Sequence, residues 1–156
     1  MVVRTFLPYS KIVKKPRKQQ YSINPQTLGE HIRKKRMQAW QTQKEVAALM
    51  GVDEESIFGW ETGKYMPQVQ WYPRIFDYLG YYPFTYETDS IAGKLLQVRY
   101  CNGWSCKRYA EILGCDTATV RRWELGKSAV HIRVHELITR LWKTLPLYVL
   151  QQYPSE

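Results

Sequence analysis

The pattern Trp-Glu-x-Gly-Lys occurs twice, in IFGWETGK (Ile57 to Lys64) and in VRRWELGK (Val120 to Lys127), 63 residues apart. In a chain of 156 residues such a repeat constrains the fold more than composition does, because it asks for one structural unit built twice. Sliding residues 91–127 onto 28–64 without a gap gives identities at Arg36/Arg99, Lys44/Lys107, Ala47/Ala110, Gly51/Gly114, Asp53/Asp116, Trp60/Trp123, Glu61/Glu124, Gly63/Gly126 and Lys64/Lys127. Conservative apolar pairs lie between them: Leu28/Ile91, Ile32/Leu95, Leu49/Ile112, Met50/Leu113 and Ile57/Val120.

The apolar spacing inside each unit is helical. Leu28, Ile32, Arg36 and Met37 share one face, and Val46, Leu49 and Met50 are expected to share another in the next segment. Thr42 and Ser105 stand at N-cap positions, Thr42 with Glu45 three residues on as a capping box, whereas the second copy has Arg108 there. Gly51 and Gly114 stop that helix in the left-handed region, Asp53 and Asp116 are expected to cap the next, and the next is expected to run to Gly63 or Gly126. Two helices joined by a three-residue turn cross steeply, so the residue at the crossing must be small, as Ala47 and Ala110 are. Ile57 with Trp60, and Val120 with Trp123, put an apolar stripe of the second helix against the first. Together these residues specify a helix-turn-helix in each copy.

The stretch TQKEVAALMGVDEESIFGWETGK resembles the Cro/repressor-like (XRE) helix-turn-helix domains of bacterial and phage regulators over its whole length. The likeness runs from about Thr27 to Gly80, with TLGEHIRKKR before the motif and YPRIFDYLGYYP after it. SCKRYAEILGCDTATVRRWELGK is similar but degenerate, with Cys106 where the first copy has Gln43. The resemblance implies an all-α chain of tandem lambda-repressor-like helix-turn-helix units that binds double-stranded DNA as a transcription regulator. It implies that Gln43 holds a phosphate, a role Cys106 does not inherit. It also implies that Arg36 pairs with Glu61, and Arg99 with Glu124, each at a spacing of 25, to lock the angle of the second helix.

In such a unit the second helix enters the major groove, its outward N-terminal residues reaching base edges while basic side chains hold phosphates. In the second copy those outward residues are Thr117, Ala118, Thr119, Arg121 and Arg122, with Lys107 and Lys127 beside them. Arg can fork onto guanine, and Thr or Ala can touch a thymine methyl. In the first copy they are Glu54, Glu55, Ser56, Phe58 and Gly59, with Lys44, Lys64 and the Arg33, Lys34, Lys35 cluster as basic neighbours. Two carboxylates face the phosphate field there, so the second helix of the first copy is either a cytosine reader with basic help or mainly a scaffold or protein-contact surface.

Charge supports a polyanionic partner. Of the net +9, residues 1–26 hold +6 with no acid, residues 27–83 are neutral, and residues 84–156 hold +3. Lys14, Lys15, Arg17 and Lys18 make KIVKKPRKQQ a basic flexible arm suited to wrapping DNA.

Other constellations argue for little. Cys101, Cys106, His131 and His135 could be written as a zinc set, but the interval from Cys106 to His131 is about twice that of a zinc finger. The two Gly-Lys pairs lack the strand and spacing of a phosphate loop, and no nucleophile stands beside a base, so catalysis is not expected. No cofactor, metal or small-molecule ligand is called for. Three cysteines, no long apolar run and no apolar leader suggest reduced thiols and a cytoplasmic location away from membranes. The expected organisation is an arm over 1–26, a first helix-turn-helix domain over 27–83, a linker over 84–90, a second over 91–145 and a tail over 146–156. After Pro67, Trp71, Ile75, Phe76 and Leu79 suggest a helix that closes the first unit. The stripe Val134, Leu137, Ile138, Leu141 and Trp142 either closes the second unit or forms a homodimer contact.

Overall fold

The computed structural model describes residues 21–84 and 90–150; the arm residues Lys14, Lys15, Arg17 and Lys18, most of the linker and the end of the tail lie outside them. Among the described residues the chain is all-α: α1 Leu28–Gln38, α2 Gln43–Met50, α3 Glu54–Glu61, α4 Tyr72–Leu79, α5 Ile91–Cys101, α6 Cys106–Leu113, α7 Thr117–Glu124, α8 Ile132–Trp142 and the short α9 Leu147–Leu150, with one 3₁₀ turn at Val69–Trp71. Each of α5, α6 and α7 begins and ends 63 residues after its counterpart α1, α2 or α3. The repeat in sequence is thus a repeat in structure, bound for bound.

Local chemistry sets those bounds. The Thr42 hydroxyl accepts from the Glu45 N–H while the Glu45 carboxylate accepts from the Thr42 N–H, closing the capping box at α2. Ser105 does only the first half for α6. Gly51 and Gly114 end α2 and α6 at φ of 66° and 68°, where a Cβ would be strained. The Asp116 side chain caps α7 through the Thr119 N–H, but Asp53, in the same place, makes no side-chain cap bond, contrary to expectation. Both second helices stop at the glutamate, two residues before Gly63 and Gly126, which follow at φ of 70° and 65°.

Packing follows the apolar stripes with one exception. Leu28, Ile32, Val46, Ala47, Met50, Ile57 and Trp60 are buried with Ile75, Phe76 and Leu79 of α4. Leu49 is instead 65 % exposed on the outer side of α2, because only the Val46 to Met50 line faces α1 and α3. At Gly29 an added Cβ would sit 1.7 Å from the Trp60 carbonyl oxygen, so α1 can lie against the backbone of α3 only with glycine there. In the second half Leu95, Val98, Tyr109, Ala110, Leu113, Val120 and Trp123 do the same work, and α8 packs on α5. Ile138 is fully buried and Val134, Leu137, Leu141 and Trp142 are partly so, which places that stripe against the chain's own core.

The two halves share one core. Tyr72 of α4 meets Tyr100 of α5 edge to face at 5.1 Å, and Phe84 lies against Tyr72, Phe76, Tyr82 and Tyr100. Phe84, expected in the linker, is therefore part of the junction. So is the start of the expected tail: Val149 is fully buried, and the Tyr148 hydroxyl donates to Asp77 of α4 at 2.7 Å.

Candidate nucleic-acid interface

An ion pair fixes each second helix from behind. Arg36 Nε and Nη2 donate to the two carboxylate oxygens of Glu61 at 2.6 and 2.7 Å, and Arg99 does the same to Glu124 at 2.5 and 2.9 Å. All four side chains are nearly buried, so each pair sets the crossing angle of α3 on α1 or of α7 on α5 through two parallel bonds. The Glu61 bonds raise the Arg36 pKa above its ordinary value; burial opposes the charge of Arg99, whose pKa the Glu124 bonds nevertheless raise. Trp60 and Trp123 lock the same helices into the core, and the Trp123 indole N–H donates to the Ala129 carbonyl.

The residues at the start of α2 and α6 differ. The Gln43 side-chain amide donates to Glu61 Oε2 at 2.9 Å, so it braces the Arg36–Glu61 pair instead of projecting outward as the phosphate anchor expected of it. Cys106 donates its thiol to the Thr117 carbonyl at 3.6 Å, tying α6 to the first turn of α7. Lys44 and Lys107, the next residues, are exposed and open to a phosphate.

The outward faces differ more. On α7, Thr117, Ala118, Arg121 and Arg122 are exposed, Lys127 is exposed just beyond, and among the described residues neither arginine belongs to an ion pair. Thr119 is half-buried, its hydroxyl donating to Asp116 Oδ2 at 2.7 Å. That bond, with the Thr119 backbone N–H, holds the Asp116 carboxyl below its usual range. On α3, Glu54, Glu55 and Phe58 are exposed, Phe58 by 48 %, and Ser56 is half-buried. Lys64 Nζ comes 3.8 Å from the Glu55 carboxylate, which partly neutralises both. Gly59, expected to face outward, is buried: the Tyr65 ring covers it, with the Tyr65 hydroxyl donating to the Glu55 carbonyl, and a Cβ on Gly59 would meet that ring at 2.3 Å. The tyrosine thus closes Gly59 from solvent, a relation six residues apart that no periodicity announces.

An open cleft of about 430 Å³ separates the start of α2 from α3, lined by Arg33, Arg36, Thr42, Gln43, Glu54, Phe58, Glu61 and Thr62. Arg33 Nε is buried beside it without a hydrogen-bond partner among the described residues. Of the neighbouring basic cluster, Lys34 is engaged with the Ile23 carbonyl at 2.6 Å, so it is no free phosphate ligand. Sequence reading missed Leu125, 66 % exposed one turn beyond Arg121, because leucine there signals core in a helical pattern.

Among the described residues no three His, Cys, Asp or Glu side chains converge as a metal site would require. No described helix is long and apolar enough to cross a membrane. No protein-family model, curated protein or solved structure matches the chain.

Proposed function

We propose that the chain is a Cro/repressor-like tandem helix-turn-helix protein that binds double-stranded DNA in a sequence-specific way and regulates transcription. The observation that carries this reading is α7: a short helix, held at a fixed angle by a buried bidentate ion pair, that presents Arg121, Arg122, Thr117 and Ala118 to solvent as one surface. A rigid helix with two guanidinium groups that pair with no carboxylate among the described residues, and with small first-turn side chains, suits the major groove, where arginine forks onto guanine. The charge of the segments flanking the first unit supports the same partner. The shared core of the two halves means that both second helices ride on one body, so a site read by both is asymmetric with fixed spacing.

The test is selection from a random duplex pool with the full chain at physiological salt. An enriched site, bound more weakly as salt rises, is the expected result, and neutralising Lys14, Lys15, Arg17 and Lys18 weakens binding to all sequences alike. A pool that enriches nothing overturns the regulator and favours an adaptor that keeps the fold to bind protein. One observation favours that second reading for the first copy: α3 offers carboxylates and a half-exposed Phe58, with Gly59 closed off by Tyr65.

A further inference from the structure

We propose that the segment after α8 is a strap: it fastens the second unit back onto α4 of the first through Tyr148, and it opens ahead of the rest of the fold.

The 63-residue repeat extends past the fourth helices, with Leu145 and Pro146 standing where Tyr82 and Pro83 stand in the first copy. Tyr82 and Leu145 are both buried. One residue after the prolines the copies part. Phe84 packs into the junction against Tyr100, whereas Leu147, in its place, is 71 % exposed. The second copy turns inward at the next two residues instead. The Val149 and Leu150 N–H groups both donate to the Pro146 carbonyl, closing the single turn of α9, and that turn carries Val149 into the core and the Tyr148 hydroxyl to Asp77. The end of the second unit is thereby bonded to a helix of the first, across 71 positions of sequence.

A strap differs from a core helix in how little holds it. The four residues of α9 are too few to form a stable helix alone, so its place depends on the Val149 side chain and the Tyr148 bond. That bond lies at the surface, where water competes for both partners. Segments held this way open locally at a fraction of the free energy of global unfolding. Cys101 of α5 lies beside the bond. Burial, then the Asp77 charge, pushes its thiol up to about 12, and burial, then Asp77 and Cys101, raises the Tyr148 phenol. Asp77 of α4, Cys101 of α5 and Tyr148 of α9 therefore meet at one place. Opening the strap bares Cys101, while Cys106 at the start of α6 and Cys115 just after it keep their surroundings.

The experiment exposes the full chain, under native conditions, to pulses of iodoacetamide and locates the alkylated cysteines by peptide mass spectrometry. Tyr148→Phe removes the bond and keeps the ring; it is expected to speed labelling of Cys101 about tenfold, as for loss of a hydrogen bond to a charged group, with Cys106 and Cys115 unchanged. Val149→Ala, which weakens the same turn from its buried side, is expected to speed Cys101 as well. Leu147→Ala, on the exposed side, should leave all three rates as they are. Acceleration of all three cysteines together would mean that the variants loosen the whole fold, and no acceleration at Cys101 would mean that the strap does not cover it; either result overturns the proposal.

Discussion

The first and second copies agree at the ion pair and the tryptophan that fix the second helix and diverge most on that helix's outward face. Arg36–Glu61 matches Arg99–Glu124 bond for bond, and Ile57 and Trp60 occupy the burial of Val120 and Trp123. Yet Glu54, Glu55 and Phe58 face out where Thr117, Ala118 and Arg121 do, Gln43 braces a carboxylate where Cys106 grips a carbonyl, and Trp40 stands where Gly103 does. Identity at the buried clamp, the small crossing residue and the turn glycine marks what the helical unit needs in order to fold. Difference between them marks where each can acquire its own partner.

The largest test of this comparison is removal of the clamp. Glu61→Ala leaves the nearly buried Arg36 without its carboxylate, with the Gln41 carbonyl as its remaining oxygen acceptor, and releases Gln43; it should cost about 3–5 kcal/mol. Glu124→Ala strands Arg99 with no other hydrogen-bond acceptor among the described residues and should cost as much or more, as read from urea denaturation of each variant. Trp60→Ala and Trp123→Ala, each emptying a buried aromatic site, should each cost about 3–5 kcal/mol; an unchanged melting temperature in either would remove that tryptophan from the core. The next effect is backbone strain. Gly103 lies at φ 65° with Pro73 close by, so Gly103→Ala should destabilise by about 1–2 kcal/mol. Trp40, 71 % exposed at φ 58°, bears that strain already, and Trp40→Gly should leave stability unchanged or higher.

Smaller differences sharpen the contrast. Asp116→Ala removes a cap and should lower the melting temperature, whereas Asp53→Ala, which removes no side-chain cap bond, should leave it nearly unchanged. The smallest effect is pH. Burial, then the Lys34 charge, holds the His31 imidazole below its ordinary value of 6.5, where its Nδ1 meets the Tyr81 hydroxyl at 2.7 Å. Folding thus favours the neutral ring: its contribution is complete above pH 6.5 and is lost as pH falls through the depressed folded value. The second copy has Lys94 there, stacked over Trp142 at 5.1 Å. His31→Gln should flatten the acid side of the stability profile measured between pH 7 and 5, and an unchanged slope would exclude His31 as its source.

The helices and their turns were legible because their causes are local: a capping box at Thr42 and Glu45, a glycine at each turn, an apolar pair three residues apart. The Arg–Glu clamps were legible because the family resemblance implies them and both partners stand at the implied spacing in both copies. The junction was not, because the meeting of Tyr72, Phe84 and Tyr100 depends on how α4 packs on α5, which neither helix records in its own pattern. On α3 and α7 most positions expected to face outward are exposed, but the state of each group was not legible. Thr119 turns back to Asp116, Gln43 turns in to Glu61, and Gly59 disappears beneath Tyr65, each through a contact within a few ångströms that periodicity cannot resolve.

The central claim, that the copies share a fold and the second carries the sequence readout, is tested most directly by fluorescence anisotropy on the selected duplex. Arg121→Ala with Arg122→Ala should weaken specific binding about tenfold or more relative to a scrambled duplex, at 1–3 kcal/mol for each guanine contact, while Glu54→Ala with Phe58→Ala should leave that ratio within about twofold. The reverse pattern, with discrimination lost on changing α3 and kept on changing α7, would contradict it.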